Sequence, residues 1–287
     1  MADTSVRFLF VDDGSRDKTR AVLRDLAGKD ERVRYISFSR NFGKEAAMLA
    51  GLRAANADYI GIIDADLQHD PQLLPEMLSA VSEEGYDIAA ARRIDRTGES
   101  KLKSGFSKAF YKIINRISDA SIEEGAQDYR IMRRKVVQAI LSMPEYNRFS
   151  KGIFSWVGFQ TKWFPHENRA RTAGRSKWSF GNLLTYAMDG IVNFSTAPLK
   201  ISLFFGSALS FVGIIYALYI IIRTLLLGSD VPGYPSIFSA ILIIGGFILL
   251  FLGVLGEYIS RIYMEVKNRP NYIIDETNII PETDEKK

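Results

Sequence analysis

The chain has no cysteine, and its histidines are two, His69 and His166, among 287 residues. A disulfide scaffold, a thiolate zinc site and a cysteine nucleophile are therefore excluded, and a metal site built from several histidines is not expected. The first residues also lack a basic segment followed by a long apolar run, so we expect no secretory signal. With 47% apolar and 24% charged residues, the composition excludes a disordered or fibrous chain.

Two long runs near the C-terminus contain no charged residue. They cover residues 201–222 and 236–256. As helices rising about 1.5 Å per residue, each would span roughly 30 Å, the thickness of the hydrocarbon core of a bilayer. The alternative is a pair of buried helices in a soluble protein, but core helices rarely lack charge for so long. The sequence therefore predicts two transmembrane helices that form a hairpin.

The charges beside these runs predict how the hairpin is oriented. The loop between them, residues 223–235, has one basic residue, Arg223. The opposite flanks carry Lys200, Arg261, Lys267 and Arg269. Because basic residues stay on the cytoplasmic side, we expect both termini and the domain of residues 1 to about 195 to be cytoplasmic. The acidic tail after Pro270 is predicted to be loose.

The N-terminal part alternates β-rich runs with helical patterns. The runs are VRFLFV (6–11), VRYISF (33–38), YIGIID (59–64) and DIAAA (87–91). This alternation predicts an α/β domain with a mainly parallel sheet. In such sheets, ligands bind at the carboxyl ends of the strands.

Two acidic clusters directly follow predicted strands. Asp12 and Asp13 end the first run, and Asp64, Asp66 and Gln68 end the third. Because residues i and i+2 of an extended chain face the same way, Asp64 and Asp66 can converge on one point. Oxygen ligands suit Mg²⁺ or Mn²⁺, and such an ion would neutralise a departing diphosphate. The alternative for one cluster alone is a solvated turn or a helix cap.

Basic residues concentrate in two further segments. Residues 92–116 carry eight Lys or Arg against two acids, with apolar residues at helical spacing, which predicts an amphipathic helix on the bilayer surface. Packing on the sheet and nucleic-acid binding are alternatives, and the membrane helices disfavour the second. The cations of residues 169–178 predict a loop that grips phosphate, or a juxtamembrane loop attracted to anionic lipid. Residues 180–191 predict another interfacial helix.

Six stretches cover nearly the whole chain in a recognisable order. They are VDDGSRDKT (11–19), SRNFGKEAAMLAGL (39–52), DADLQHDP (64–71), DYRIMRR (128–134), RTAGRSKWSF (171–180) and GEYISRIYMEVKNRPNY (256–272). Together they resemble the family-2 glycosyltransferases. The similarity is greatest to the polyprenyl-phosphate group, which includes bactoprenol glucosyltransferases and dolichyl-phosphate mannose synthases.

The resemblance implies a GT-A, Rossmann-like fold and an inverting transfer of a sugar, often from UDP-glucose, to a membrane polyprenyl phosphate such as undecaprenyl phosphate. The implied roles are Asp12, Asp13, Asp64 and Arg93 for the nucleotide sugar, Asp64, Asp66 and Gln68 for the metal, Asp128 as catalytic base, and Arg130, Arg171, Ser176 and Lys177 for the acceptor phosphate. Because a phosphate monoester is already mostly dianionic near pH 7, Asp128 is expected to orient groups more than to accept a proton.

Four segments are predicted: the GT-A domain (1–165), an acceptor loop with an interfacial helix (166–198), the membrane helices (199–260) and a cytoplasmic tail (261–287). The expected location is the bacterial cytoplasmic membrane, as a multi-pass protein. The expected partners are the nucleotide sugar, polyprenyl phosphate and the bilayer. A flippase, a downstream glycosyltransferase and a second copy of the chain are further candidates, and nucleic acid is not expected.

One departure from the family concerns the N-terminus. Members usually begin with a strand that ends in a Pro-x-Tyr-Asn-Glu-like motif and a helix before VDDGS, which here starts at residue 11. We therefore expect that strand and helix to be missing, either because the start codon is misassigned or because the chain is truncated. The competing hypothesis is a truncated, non-catalytic membrane scaffold in a glycan or lipid-carrier pathway. A processive polysaccharide synthase is disfavoured, because Gln-x-x-Arg-Trp is absent and the membrane helices are too few for a pore.

Overall fold

The computed structural model describes residues 5–93, 112, 114–117, 122–166, 190–227 and 233–279. The strands are β1 (Phe8–Asp12), β2 (Val33–Phe38), β3 (Tyr59–Ile62), β4 (Ile88–Arg93), β5 (Ala126–Arg133), β6 (Thr161–His166) and β7 (Ile274–Thr277). The helices are α1 (Thr19–Lys29), α2 (Lys44–Ala54), α3 (Leu74–Ser82), α4 (Arg134–Leu141), α5 (Ser150–Trp156), α6 (Ala197–Leu227) and α7 (Tyr234–Lys267). A 3₁₀ turn, Pro71–Leu73, leads into α3.

The described strands form two mixed sheets. One has the order β1-β2-β7, with β1 parallel and β7 antiparallel to β2. The other has the order β3-β5-β4-β6, in which β5 is antiparallel to both of its neighbours and β4 is parallel to β6. The α/β prediction is confirmed, but the mainly parallel sheet is wrong. β3 and β4 are joined in the chain by helix α3 and run in the same direction. In the sheet, however, the antiparallel strand β5 lies between them.

The second sheet is covered by helices on both faces. Successive side chains of β4 point to opposite faces, so this one strand contacts the helices on both sides. Ile88 and Ala90 point to one face, where they pack with buried residues of α2, α4 and α5. Ala89 and Ala91 point to the other face and pack against α3. All four side chains have no solvent exposure. The core of the domain therefore lies on this sheet.

Helix α2 packs against both sheets. Its Ala46 and Ala50 join Ile36 and Phe38 of β2 in one buried cluster. Its Leu52 joins the cluster of the second sheet, together with Ile60 of β3. The first residue of α2 therefore lies beside the carboxyl ends of β1 and β3, where both acidic clusters begin.

The chain after Pro270 is not loose over its described part, so that prediction is wrong for residues 274–277. These residues form β7, in which Thr277 and Glu276 pair with Ile36 and Ser37 of β2. The tail acids bind α1: Arg20 Nη1 lies 2.6 Å from Asp275 Oδ2, and the Arg24 guanidinium pairs with Glu276. The partners lie some 250 positions away along the chain, where local composition gives no sign of them.

Helices α6 and α7 are long and apolar enough to cross a membrane, over Ala197–Ile220 and Ile243–Lys267. The most apolar stretches are not buried against the rest of the described protein. Both helices extend beyond the predicted runs, and α7 ends at Asn268, whose left-handed backbone (φ 45°) caps it. The last turns of α7 contact the domain, because Glu265 Oε1 accepts a hydrogen bond from the Tyr146 amide (2.8 Å). Tyr258 also donates a hydrogen bond to the carbonyl of Ser195, just before α6 (2.6 Å).

Candidate active site

The acidic loop after β1 holds the start of α2. Asp13 Oδ1 accepts a hydrogen bond from the Phe42 amide at 2.6 Å, and Oδ2 accepts one from the Gly43 amide at 3.0 Å. These amides belong to the helix N-terminus, whose donors have no partner within the helix. Gly43 has a φ of 95°, which favours glycine. Asp13 therefore fixes the position and direction of the first turn of α2.

Asp12 is buried in the same loop. The Ser37 hydroxyl donates to its Oδ2 at 2.6 Å, and the Ser15 amide donates to its Oδ1 at 3.1 Å. Burial opposes ionisation of Asp12, but the hydrogen bonds from Ser15 and Ser37 outweigh it and lower the pKa. Asp12 thus remains an anion that shapes the loop from beneath.

Lys44, the first residue of α2, joins two of the predicted site residues. Its Nζ lies 2.9 Å from Asp64 Oδ2 and 2.6 Å from Asp128 Oδ2. Burial raises the pKa of the Asp128 carboxyl, but the positive charges of Lys44 and Lys151 overcome this and the net pKa is lowered. The pKa of Lys44 is raised, because the two carboxylates outweigh its own desolvation. The structure therefore brings Asp64 and Asp128 to one ammonium group.

The acidic loop after β3 turns sharply between its two carboxylates and Gln68. Leu67 has a positive φ of 62°, and Asp66 Oδ1 accepts a hydrogen bond from the Gln68 amide at 3.1 Å. Among the described residues, no group of three or more acidic or histidine side chains is arranged to hold a metal ion. Two aspartates still fit Mg²⁺, which proteins commonly bind through one or two carboxylates together with substrate phosphates.

Both histidines lie beside this loop, although sequence reasoning gave them no role. The His69 ring stacks on Tyr129 with centroids 4.9 Å apart, and its centroid is 5.7 Å from that of His166. His69 Nδ1 is buried and has no hydrogen-bond partner within the described part of the chain. Burial lowers the pKa of His69, and the carboxylates of Asp64 and Asp66 only partly oppose this. The contact with the loop comes from the other histidine, because His166 Nε2 lies 3.2 Å from the Gln68 carbonyl oxygen.

Arg130 is turned into the core. Its guanidinium lies 3.6 Å from the centroid of the Phe154 ring, and its Nη2 donates to the Gln127 carbonyl at 2.6 Å. Burial lowers the pKa of Arg130 to about 10, so it stays charged near neutral pH. Arg130 is only 2% exposed, so its contacts are with Phe154 of α5 and with the strand that carries Asp128 rather than with solvent. This geometry favours a role in fixing that strand.

The remaining predicted residues are placed only in part. Arg93 ends β4, where its amide donates to the Gly125 carbonyl at 2.9 Å and its register partner is His166. Arg171, Ser176 and Lys177 lie outside the described residues, as do most of the predicted basic helix, the phosphate-gripping loop and the second interfacial helix.

Sequence reasoning missed Lys44 and its neighbour Glu45. Glu45 accepts hydrogen bonds from both the amide and the hydroxyl of Ser150, at the start of α5. A signal for Lys44 was present, because a cation in the first turn of a helix opposes the helix dipole. Such a cation needs an anionic partner nearby, and the strand-end aspartates supply it.

Comparisons with known proteins identify the family of the chain. Residues 3–141 match the glycosyl transferase family 2 description, and residues 197–262 match the GtrB C-terminal hairpin. The Bacillus subtilis protein CsbB is 46% identical over 97% of this chain and 85% of its own length. The SfII prophage-derived bactoprenol glucosyl transferase of Shigella flexneri is 43% identical over 95% of this chain and 88% of its own.

Two further comparisons extend this result. The prophage bactoprenol glucosyl transferase homolog of Escherichia coli is 43% identical over 94% of this chain and 88% of its own length. Among solved structures, glucosyl-3-phosphoglycerate synthase of Mycobacterium tuberculosis covers 65% of this chain and 66% of its own at 16% identity, with a TM-score of 0.40, too weak a likeness to support a conclusion. The two-domain match and the identity to full-length relatives show that the chain belongs to glycosyltransferase family 2, with a GT-A-like fold.

Proposed function

We propose that the protein transfers glucose from UDP-glucose to polyprenyl phosphate, with inversion, at the cytoplasmic face of a bacterial membrane. The observation that carries the proposal is the meeting of Asp64 and Asp128 on one ammonium group, at a strand-end rim of a domain bound to the apolar helix α7. The relatives named bactoprenol glucosyl transferases support the acceptor and the sugar. The membrane-length helices support an acceptor that resides in the bilayer.

In the proposed reaction, an oxygen of the acceptor phosphate attacks the anomeric carbon of glucose. The bond from that carbon to the diphosphate breaks, and its electron pair leaves with UDP. Asp64, Asp66 and Gln68 would hold a Mg²⁺ or Mn²⁺ ion, whose charge neutralises the diphosphate. The protein contributes chiefly alignment and fixed charge, since the acceptor phosphate is already mostly dianionic near pH 7.

The other roles follow from the contacts of each residue. Asp128 orients the acceptor, and its low pKa supports this because a strongly acidic carboxyl is a weak proton acceptor. Asp12 and Asp13 contribute to the nucleotide pocket by shaping the loop around it, as their carboxylates are engaged by Ser37 and by the amides of Phe42 and Gly43. Arg93, Arg171, Ser176 and Lys177 bind phosphate groups, and Arg130 supports the strand of Asp128.

The proposed orientation places both termini and the catalytic domain in the cytoplasm, where nucleotide sugars are available. The product, a glucosylated lipid phosphate, then requires a flippase and a further glycosyltransferase on the opposite side. Association with a second copy through the membrane helices belongs to the same proposal.

The test is a transfer assay on the purified, detergent-solubilised protein with undecaprenyl phosphate and Mg²⁺. A panel of radiolabelled nucleotide sugars is supplied, and the lipid is then extracted into organic solvent. We expect label from UDP-glucose to enter the lipid, and chelation of the metal to prevent it. Absence of label with every nucleotide sugar, together with no binding of UDP-glucose, would favour the scaffold hypothesis instead.

A further inference from the structure

The position of Lys44 is unusual for a lysine. It begins α2, where the helix dipole disfavours a cation, and its ammonium lies between carboxylates from two different strands. The side chain is half exposed, whereas those of Asp64 and Asp128 are 33% and 13% exposed. The aspartates are the less accessible groups, so the lysine reaches inward to them from the surface. Asp13 holds the amides of the same helical turn and therefore aims Lys44.

We propose that Lys44 is a resident cation that competes with the divalent ion for Asp64. In the metal-free protein it holds Asp64 and Asp128 together. When the ion binds, Lys44 releases Asp64 and stays with Asp128, which it continues to orient. The inference rests on the proposed metal site, but it concerns the binding of the ion rather than the transfer of sugar.

Competition follows from charge and space. A divalent ion approaches a carboxylate oxygen to about 2.1 Å, so an ammonium on the same oxygen would face a doubly charged neighbour at close range. The Asp64 oxygen that Lys44 contacts is therefore less available to the ion. Lys44 can leave it, because the four-carbon stem is flexible and Asp128 remains as a second partner. A lysine with Asp64 as its single partner would lose its whole interaction on release.

The experiment compares Mn²⁺ binding by the full chain and by Lys44→Met and Lys44→Arg. Free Mn²⁺ is measured by electron paramagnetic resonance, without nucleotide or lipid. We expect Lys44→Met to bind Mn²⁺ roughly 1.5- to fivefold more tightly, the range for loss of a partly exposed ion pair, and Lys44→Arg to resemble the wild type. Lys29→Met is the control, since Lys29 pairs with Asp25 on the exposed face of α1.

A double-mutant cycle tests the role of Asp128. In Asp128→Asn, Asp64 is the remaining charged partner of Lys44, so Lys44 competes more strongly with Mn²⁺ for Asp64. Asp128→Asn should therefore weaken Mn²⁺ binding more in the wild-type background than in the Lys44→Met background. If Lys44→Met folds poorly, the same cycle can be measured with Lys44→Gln in its place.

Three results would overturn the proposal: equal or weaker Mn²⁺ binding by Lys44→Met, no coupling in the cycle, or no binding by any variant. A protein that binds Mn²⁺ as expected but moves no sugar would refute the proposed function alone, so the two failures are distinguishable.

Discussion

Replacing Gly14 by alanine tests the loop that aims α2. Gly14 has a φ of 65°, and a Cβ there would lie 2.6 Å from the carbonyl oxygen of Arg40. The left-handed backbone costs alanine about 1–2 kcal/mol, and forced overpacking typically costs about 1–3 kcal/mol, so the free energy of unfolding should fall by roughly 2–5 kcal/mol. At about 2–4 °C per kcal/mol for a domain of this size, that is a fall in Tm of roughly 4–20 °C.

The matched control is Gly28→Ala. Gly28 lies in α1 with no atom within 4 Å of its ideal Cβ, so alanine should stabilise the helix by about 0.5–1 kcal/mol. Tryptophan fluorescence can follow unfolding, because Trp156 and Trp163 lie on α5 and β6. Gly14→Ala should also reduce sugar transfer. The substitution displaces the backbone of Arg40, which lies two residues before the Phe42 amide that Asp13 binds. A Tm for Gly14→Ala equal to that of the wild type would refute the reasoning.

Three further predictions concern the site and its supports. Asp66→Ala should abolish transfer in the lipid-extraction assay by removing a proposed metal ligand, whereas Asp128→Asn should retain measurable activity; the reverse order would contradict the proposed roles. Burial raises the pKa of Glu45, so its contribution to stability is present below about pH 4.5 and is lost as the pH rises through the raised pKa. The Tm of wild type relative to Glu45→Gln should therefore fall as the pH is raised above about 4.5, and a constant difference would exclude this. Arg24→Glu should lower the Tm, and adding Glu276→Arg should restore part of the lost Tm by re-forming the ion pair with reversed charges. No recovery in the double variant would show that the backbone alone holds the tail strand.

Features that depend on local pattern were predictable from the sequence. β1 ends at Asp12, and β3 ends two residues before Asp64, so acidic residues do follow strand ends as expected. The long apolar runs lie within α6 and α7, because uncharged length is itself the signal for such helices. The helix between β3 and β4 also gave their shared direction.

Features that depend on distant partners were not predictable. β5 is not among the predicted strands, and nothing local indicates that it separates β3 from β4. Residues 274–277 read as a loose acidic tail, because the arginines of α1 that bind them are remote in sequence. The same reason applies to Arg130: its motif suggests a phosphate ligand, but its guanidinium packs on the Phe154 ring, which belongs to a helix more than 20 residues further along the chain.

Helix α2 links these observations, because the two sheets share no strand pairing among the described residues. One face of α2 is buried with β2, and Leu52 is buried with the second sheet. Its first turn is held by Asp13 after β1, and its first side chain reaches Asp64 after β3 and Asp128 on β5. The separation of Asp64 from the loop after β1 is therefore set by where α2 sits. A change that shifts α2 should alter metal binding and nucleotide binding together, whereas a change confined to Asp66 should leave the loop after β1 intact.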